Sequence, residues 1–133
     1  MRLADAPVPV RIKLCALWAS VMFCYVYGDF FGLFRPGKLT DMLAGQTPVG
    51  PVNQTLLLLF AVVMAVPSAM VFLSLVLPPR VARWANIILG LAYSAIMVVT
   101  MRGAWGFYIF LGCIETALTL AIAWYAWRWP RQG

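Results

Sequence analysis

Charge is scarce in this chain, and histidine is missing altogether. Of 133 residues, ten are Lys or Arg and four are Asp or Glu, so charged side chains make up 11%. A soluble domain carries roughly a quarter, and its surface needs them to stay in water. A soluble globular fold is thereby excluded. The absence of His, with three cysteines and no CxxC, removes most zinc and haem sites, Cys–His catalysis and thiol-redox relay. No metal and no cofactor is expected. No repeat of 20–50 residues is visible. The apolar-polar alternation of outer-membrane barrel strands is also missing, because the apolar runs are apolar on every side.

What the chain has is hydrophobic length. Apolar residues make up 64%, and mean hydropathy is +0.90. About 20 residues of helix cross a ~30 Å hydrocarbon layer, and a continuous helix satisfies its own backbone groups there. After the loops are subtracted, there is room for four spans and no separate soluble domain. The spans read about 14–34, 54–77, 84–101 and 105–127, forming one transmembrane domain over 1–133. The first is too long for a cleaved signal peptide and no small-residue cleavage site follows it. Pro and Gly punctuate the polar segment 36–53, within which Leu39–Leu43 fits one interfacial turn. Pro78 and Pro79 stop the second span, and Arg102, Gly103 and Ala104 form a tight turn before the fourth.

A net charge of +6 raises the question of nucleic acid, but the cations lie at the ends of apolar runs rather than in a stripe between aromatics. No nucleic acid is expected. Arg2, Arg11, Lys13, Arg80, Arg83, Arg128 and Arg131 fall on one side, against Arg35, Lys38 and Arg102 on the other. The positive-inside bias then predicts an all-α integral membrane four-helix bundle, up-down-up-down, with both termini cytoplasmic and 36–53 outside. The location expected is the bacterial inner membrane. Trp and Tyr in the string WYAWRW suit the headgroup belt.

The chemistry must reside in the polar groups that membrane insertion discourages. A carboxylate at mid-bilayer costs roughly 2.5–3.5 kcal/mol on insertion scales. Asp5 and Asp41 lie in water, whereas helical rise puts Asp29 about 7 Å and Glu115 about 15 Å deep. Neither has a Lys or Arg within its own span. Trp18, Met22, Tyr25 and Asp29 follow steps of four, three and four and share a helix face. Tyr108, Glu115 and Thr119 do so on the fourth span, while Tyr93, Ser94 and Met97 on the third, and Met64, Pro67 and Ser68 on the second, lie at similar depth. If these faces converge, they enclose an apolar cleft with a few polar groups, the usual constitution of a small-ligand site.

Each residue also has a plain structural reading. Asp29 is near enough to the interface to reach water. Glu115 can be a neutral carboxyl bonded to a Tyr or Ser on a neighbouring helix. Tyr25 and Tyr93 can be packing aromatics, Met22, Met64 and Met97 core filler, and Pro67 a kink. Asn86, beside Arg83 and Trp84, is explained by capping and headgroup contact. Small-xxx-small spacings at Gly28 and Gly32, Gly90 and Ser94, and Gly112 and Thr116 favour close helix approach.

The strings FCYVYGDFFGLFRPG, AVPSAMVFLSLVLPPRVARWANIILG and CIET with WYAW resemble a bacterial group of four-helix membrane proteins described only as a domain of unknown function. That group has the general build of the small DoxX-like proteins. The resemblance spans nearly the whole chain, implies the fold and brings no activity. Its family-like positions include Tyr25, Tyr27, Asp29, Pro67, Arg83, Asn86 and Glu115. Small multidrug transporters are similar in size, but carry their membrane carboxylate in the first helix. Membrane sterol isomerases and terpene cyclases are similar only in pairing intramembrane acids with aromatic walls.

Three functions remain open. The first is an intramembrane acid/base enzyme acting on a lipophilic small molecule by isomerisation, cyclisation or epoxide opening. Glu115 would be its general acid and Asp29 the ionised partner or general base. Tyr25 and Tyr93 would orient the substrate, with Trp18 and the Met residues enclosing it. The second is a proton-coupled exporter working as a homodimer. The third is an accessory subunit whose carboxylates bond a partner helix. Membrane lipids are partners in every case.

Overall fold

The computed structural model describes residues 3–130; Arg2 and Arg131, counted in the charge asymmetry, lie outside them. Four long helices dominate: α1 (Val10–Gly32), α3 (Gln54–Val76), α4 (Pro79–Thr100) and α5 (Gly106–Trp127). Between α1 and α3 lie a short α2 (Lys38–Leu43) and a two-residue hairpin, β1 (Gln46–Thr47) paired antiparallel with β2 (Gly50–Pro51). All four long helices are long and apolar enough to cross a membrane. The protein is an all-α four-helix membrane bundle.

Helix ends differ from the hydropathy limits for identifiable reasons. Helix α1 begins at Val10, not residue 14, because Arg11 and Lys13 are good helix formers that extend the helix beyond its apolar part. It ends at Gly32, after which Leu33 and Phe34 turn on three-residue hydrogen bonds to Phe30 and Phe31. Helix α4 begins at Pro79, not residue 84. Proline at the first helical position lacks only an N–H that would be orphaned there anyway, so it starts this helix. The α3–α4 link is therefore just Leu77 and Pro78. Asn53 caps α3 by accepting from the Leu56 N–H at 2.8 Å. The hairpin was not visible in the sequence, since two residues per strand leave no alternation to read.

The helices close a ring in which α5 packs on α4 and α1, α1 on α3, and α3 more lightly on α4. At the α4–α5 seam the backbones come close at Gly90. A Cβ there would lie 2.8 Å from the Thr119 carbonyl oxygen and 3.1 Å from the Ala123 nitrogen. Only glycine fits. Ser94 and Thr119 hydroxyls meet across the same seam at 2.6 Å, while each also donates or shares with its own helix backbone. Outward faces are large and apolar, among them Phe23, Phe30, Leu58, Phe72 and Val99. Such an area suits lipid and not water.

One end of the bundle is stapled by its cations. Arg11 donates to the Ser74 carbonyl at the end of α3 (3.1 Å) and lies over the Trp129 ring. Arg83 donates to the Ala126 and Trp127 carbonyls at the end of α5 (3.2 and 3.1 Å). These carbonyls lie in the last turns of their helices, where intrahelical donors run out; the positive groups bond to them, Ala126 also accepting from the Trp129 N–H, and complement the helix dipoles. Lys13 and Arg128 sit over Tyr125 and Trp124.

Candidate functional site

The half of the bundle nearest this stapled end is solid. Leu14, Trp18, Val21 and Ile122 are wholly buried. Trp18 donates its indole N–H to the Asn86 side-chain oxygen at 2.7 Å, and Ser74 Oγ donates to the same oxygen at 3.3 Å. Asn86 in turn donates to the Ala82 carbonyl at 2.7 Å. This buried triad ties α1, α3 and α4 together. Asn86 is thus fully buried and does not sit in the headgroup layer as the sequence reading had it. Trp18 stands one layer behind the predicted cleft, edge-on to Tyr93 with ring centroids 6.1 Å apart.

Beyond Tyr93 the four helices part around a cavity of about 180 Å³. Helix α1 contributes Tyr25, Gly28 and Asp29, α3 Val63 and Met64, α4 Ile96, Met97 and Thr100, and α5 Tyr108, Leu111 and Glu115. Of the residues singled out in the sequence, Tyr25, Asp29, Met64, Tyr93, Met97, Tyr108 and Glu115 are brought together here. Trp18, Met22 and Thr119 are not among its lining residues. Thr119 is buried one turn from Glu115, where its hydroxyl is bonded to Ser94 and the Glu115 carbonyl. Tyr27, a family-like position, faces outward and stacks with Phe31.

Glu115 is the outstanding group. It is only 3% exposed, and its Oε2 has no hydrogen-bond partner among the described residues. A buried polar atom left unpaired costs about 1–3 kcal/mol, so an orphan carboxyl oxygen beside an open volume points to a ligand, water or proton as its missing partner.

Tyr93 has a definite job. Pro67 has no N–H, which frees the carbonyl of Val63 four residues earlier in α3. The Tyr93 hydroxyl donates to that carbonyl at 2.6 Å, as a freed carbonyl at membrane depth requires. The sequence signal was available: the residue four before an interior proline needs a donor on a neighbouring helix.

A second cavity, of about 450 Å³, adjoins the first at the end opposite the stapled cations. Gly28, Asp29, Thr100 and Tyr108 line both, so Asp29 stands at their junction. Its other walls include Arg35, Lys38, Pro48, Arg102 and Trp105. Sequence reasoning used these three cations only for topology.

The model of a family described as "Family of unknown function (DUF6326)" matches residues 9–133. The chain belongs to that family. No curated protein and no solved structure matches it. Family membership carries no activity to this chain, and the DoxX-like build and bacterial source implied by the resemblance stay expectations. What can be said of function comes from the cavity.

Proposed function

We propose that the cavity is a binding and acid/base site for a lipophilic small molecule within the membrane. The observation that carries this reading is the buried, unpartnered Glu115 carboxyl beside a space that all four helices enclose. Apolar walls from Val63, Met64, Ile96, Met97 and Leu111 suit a hydrocarbon portion. Glu115, Asp29 and the Tyr25 and Tyr108 side chains are the groups for proton transfer and orientation. Isomerisation, cyclisation and epoxide opening all need an acid to protonate a reacting centre and a base to remove a proton. In each, Glu115 is the acid and Asp29, nearer the mouth, the base.

A proton-coupled exporter is the second reading, since a lone membrane carboxyl is also what a proton-driven carrier needs. The solid layer of Trp18, Asn86 and Ser74 below the cavity leaves it one opening, as an enzyme pocket has; a carrier needs a second state in which this layer parts. The charge asymmetry supports an orientation with both termini cytoplasmic and the segment 36–53 outside, in a bacterial inner membrane.

Dicyclohexylcarbodiimide, which reacts with protonated carboxyls in apolar surroundings, tests the reading. The reagent is expected to modify Glu115, located by mass spectrometry of the peptide, and dodecanol is expected to slow that modification at least fivefold. Glu115→Gln removes the label. Modification that dodecanol leaves untouched would overturn the binding site.

A further inference from the structure

The second cavity adjoins the lipophile site and is lined by basic side chains. Three cations form its rim, and they come from separate parts of the chain: Arg35 and Lys38 from the link around the start of α2, Arg102 from the turn between α4 and α5. They are the entire basic complement that the sequence places on that side. At the opposite end Arg11, Lys13, Arg83 and Arg128 are engaged by helix-terminal carbonyls and indole or phenol rings. Here they converge on open space. Segment 36–53 folds back far enough for Pro48 to join the wall, so the volume is a partly covered chamber above the bundle.

The electrostatics are one-sided. Asp29 is the one acid lining the chamber, against three cations, and Asp41 of α2 is not among its lining residues. Arginine presents a fork matched to phosphate or carboxylate, and such charge-assisted bonds are about twice as strong as neutral ones. Directly below lies the apolar space ending at Glu115. Its volume of about 180 Å³ compares with the roughly 150 Å³ apolar cavity that takes up benzene. It therefore takes in a ring, a short branched unit or the first few carbons of a longer lipophile.

We infer that the chamber of Arg35, Lys38 and Arg102 is a headgroup site, and that the ligand is an anionic amphiphile. Its phosphate or carboxylate sits among these cations and its first apolar unit passes Asp29 to reach Glu115. This rests on the proposed lipophile site and adds the charge class of what occupies it. The anion is covalently part of the lipophile, not a free ion from the water phase.

The test measures binding by native mass spectrometry and thermophoresis in dodecyl maltoside, with dodecyl phosphate, dodecanol and inorganic phosphate as separate probes. Dodecyl phosphate is expected to bind at least tenfold more tightly than dodecanol, and inorganic phosphate at least a hundredfold more weakly. The R35Q/K38Q/R102Q variant should bring dodecyl phosphate to within threefold of dodecanol, while R35K/R102K should retain most of the preference. All three positions are at the surface or half-buried, and folding of each variant is checked by dodecanol binding, which needs only the lower cavity. Equal binding of dodecyl phosphate and dodecanol in the unmodified protein, or an unchanged preference in the triple variant, overturns the headgroup site. It leaves the lipophile site standing. Inorganic phosphate binding as tightly as dodecyl phosphate overturns the amphiphile. Failure of dodecanol to bind at all counts instead against the lipophile site beneath.

Discussion

At the scale of single residues, Glu115 and Asn86 make a natural contrast. Both are buried polar groups at membrane depth, but Asn86 has partners for its oxygen and nitrogen, and Glu115 Oε2 has none. Removing a group whose partners stay behind leaves them orphaned. Asn86→Leu strands the Trp18 indole N–H and should cost about 1–3 kcal/mol. Glu115→Leu strands nothing, since no buried partner charge faces it, and should be neutral or stabilising by about 1 kcal/mol. Unfolding midpoints in dodecyl maltoside titrated with SDS read both. A Glu115→Leu variant that unfolds as readily as Asn86→Leu would mean that the carboxyl is structural. The place of Glu115 near the middle of its helix was legible in the sequence, because helical rise fixes it. Its lack of a partner was not, because a missing neighbour is a property of three other helices. Asn86 shows the same limit: proximity to Arg83 and Trp84 along the chain said nothing of Trp18, which is 68 residues away.

Pro67 is best understood at the scale of elements. It removes a rung from α3, and Tyr93 on α4 supplies the missing donor to Val63. Tyr93→Phe should therefore cost about 1 kcal/mol in the natural background. In a Pro67→Ala background the helix regains its own N–H, and the same substitution should cost almost nothing. A double-mutant cycle on unfolding free energy measures the difference. Purely additive effects would dissociate the tyrosine from the proline. At the α4–α5 seam, Gly90→Ala should lose about 1–3 kcal/mol by forcing the helices apart, because its Cβ would press on backbone atoms. Gly32→Ala has nothing within 4 Å and should leave the midpoint unchanged. Of the small-residue pairs visible in the sequence, only the one at Gly90 thus marks a backbone-to-backbone approach. Spacing alone cannot separate Gly90 from Gly32. Helix phase was more informative: it put Tyr25 and Asp29 on the face that lines the cavity. The same face two turns earlier carries Trp18, which meets Asn86 and not open space. Periodicity gives the direction of a face and not the length of the cleft it lines.

For the whole molecule, the two ends of the bundle divide the work. The end bearing Arg11, Lys13, Arg83 and Arg128 is closed and cross-linked, and the other opens through a basic chamber to the acids. The four-helix fold was legible from apolar run lengths, which are set by bilayer thickness. The chamber was not, because it forms only when segment 36–53 folds back over residues 35 and 102. The proposed orientation, with this chamber outside, makes a direct prediction. Thr47→Cys, in a background lacking Cys15, Cys24 and Cys113, should react with an impermeant maleimide in intact cells. Labelling only after lysis would reverse the orientation. Central to the account is that a lipophile enters the bundle and reaches Glu115, and photolabelling with a diazirine-bearing fatty alcohol measures this most directly. Adducts are expected on Glu115 and Asp29, competed away by excess dodecanol. Adducts confined to outward-facing residues such as Phe23, Leu58 and Val99, indifferent to dodecanol, would contradict it.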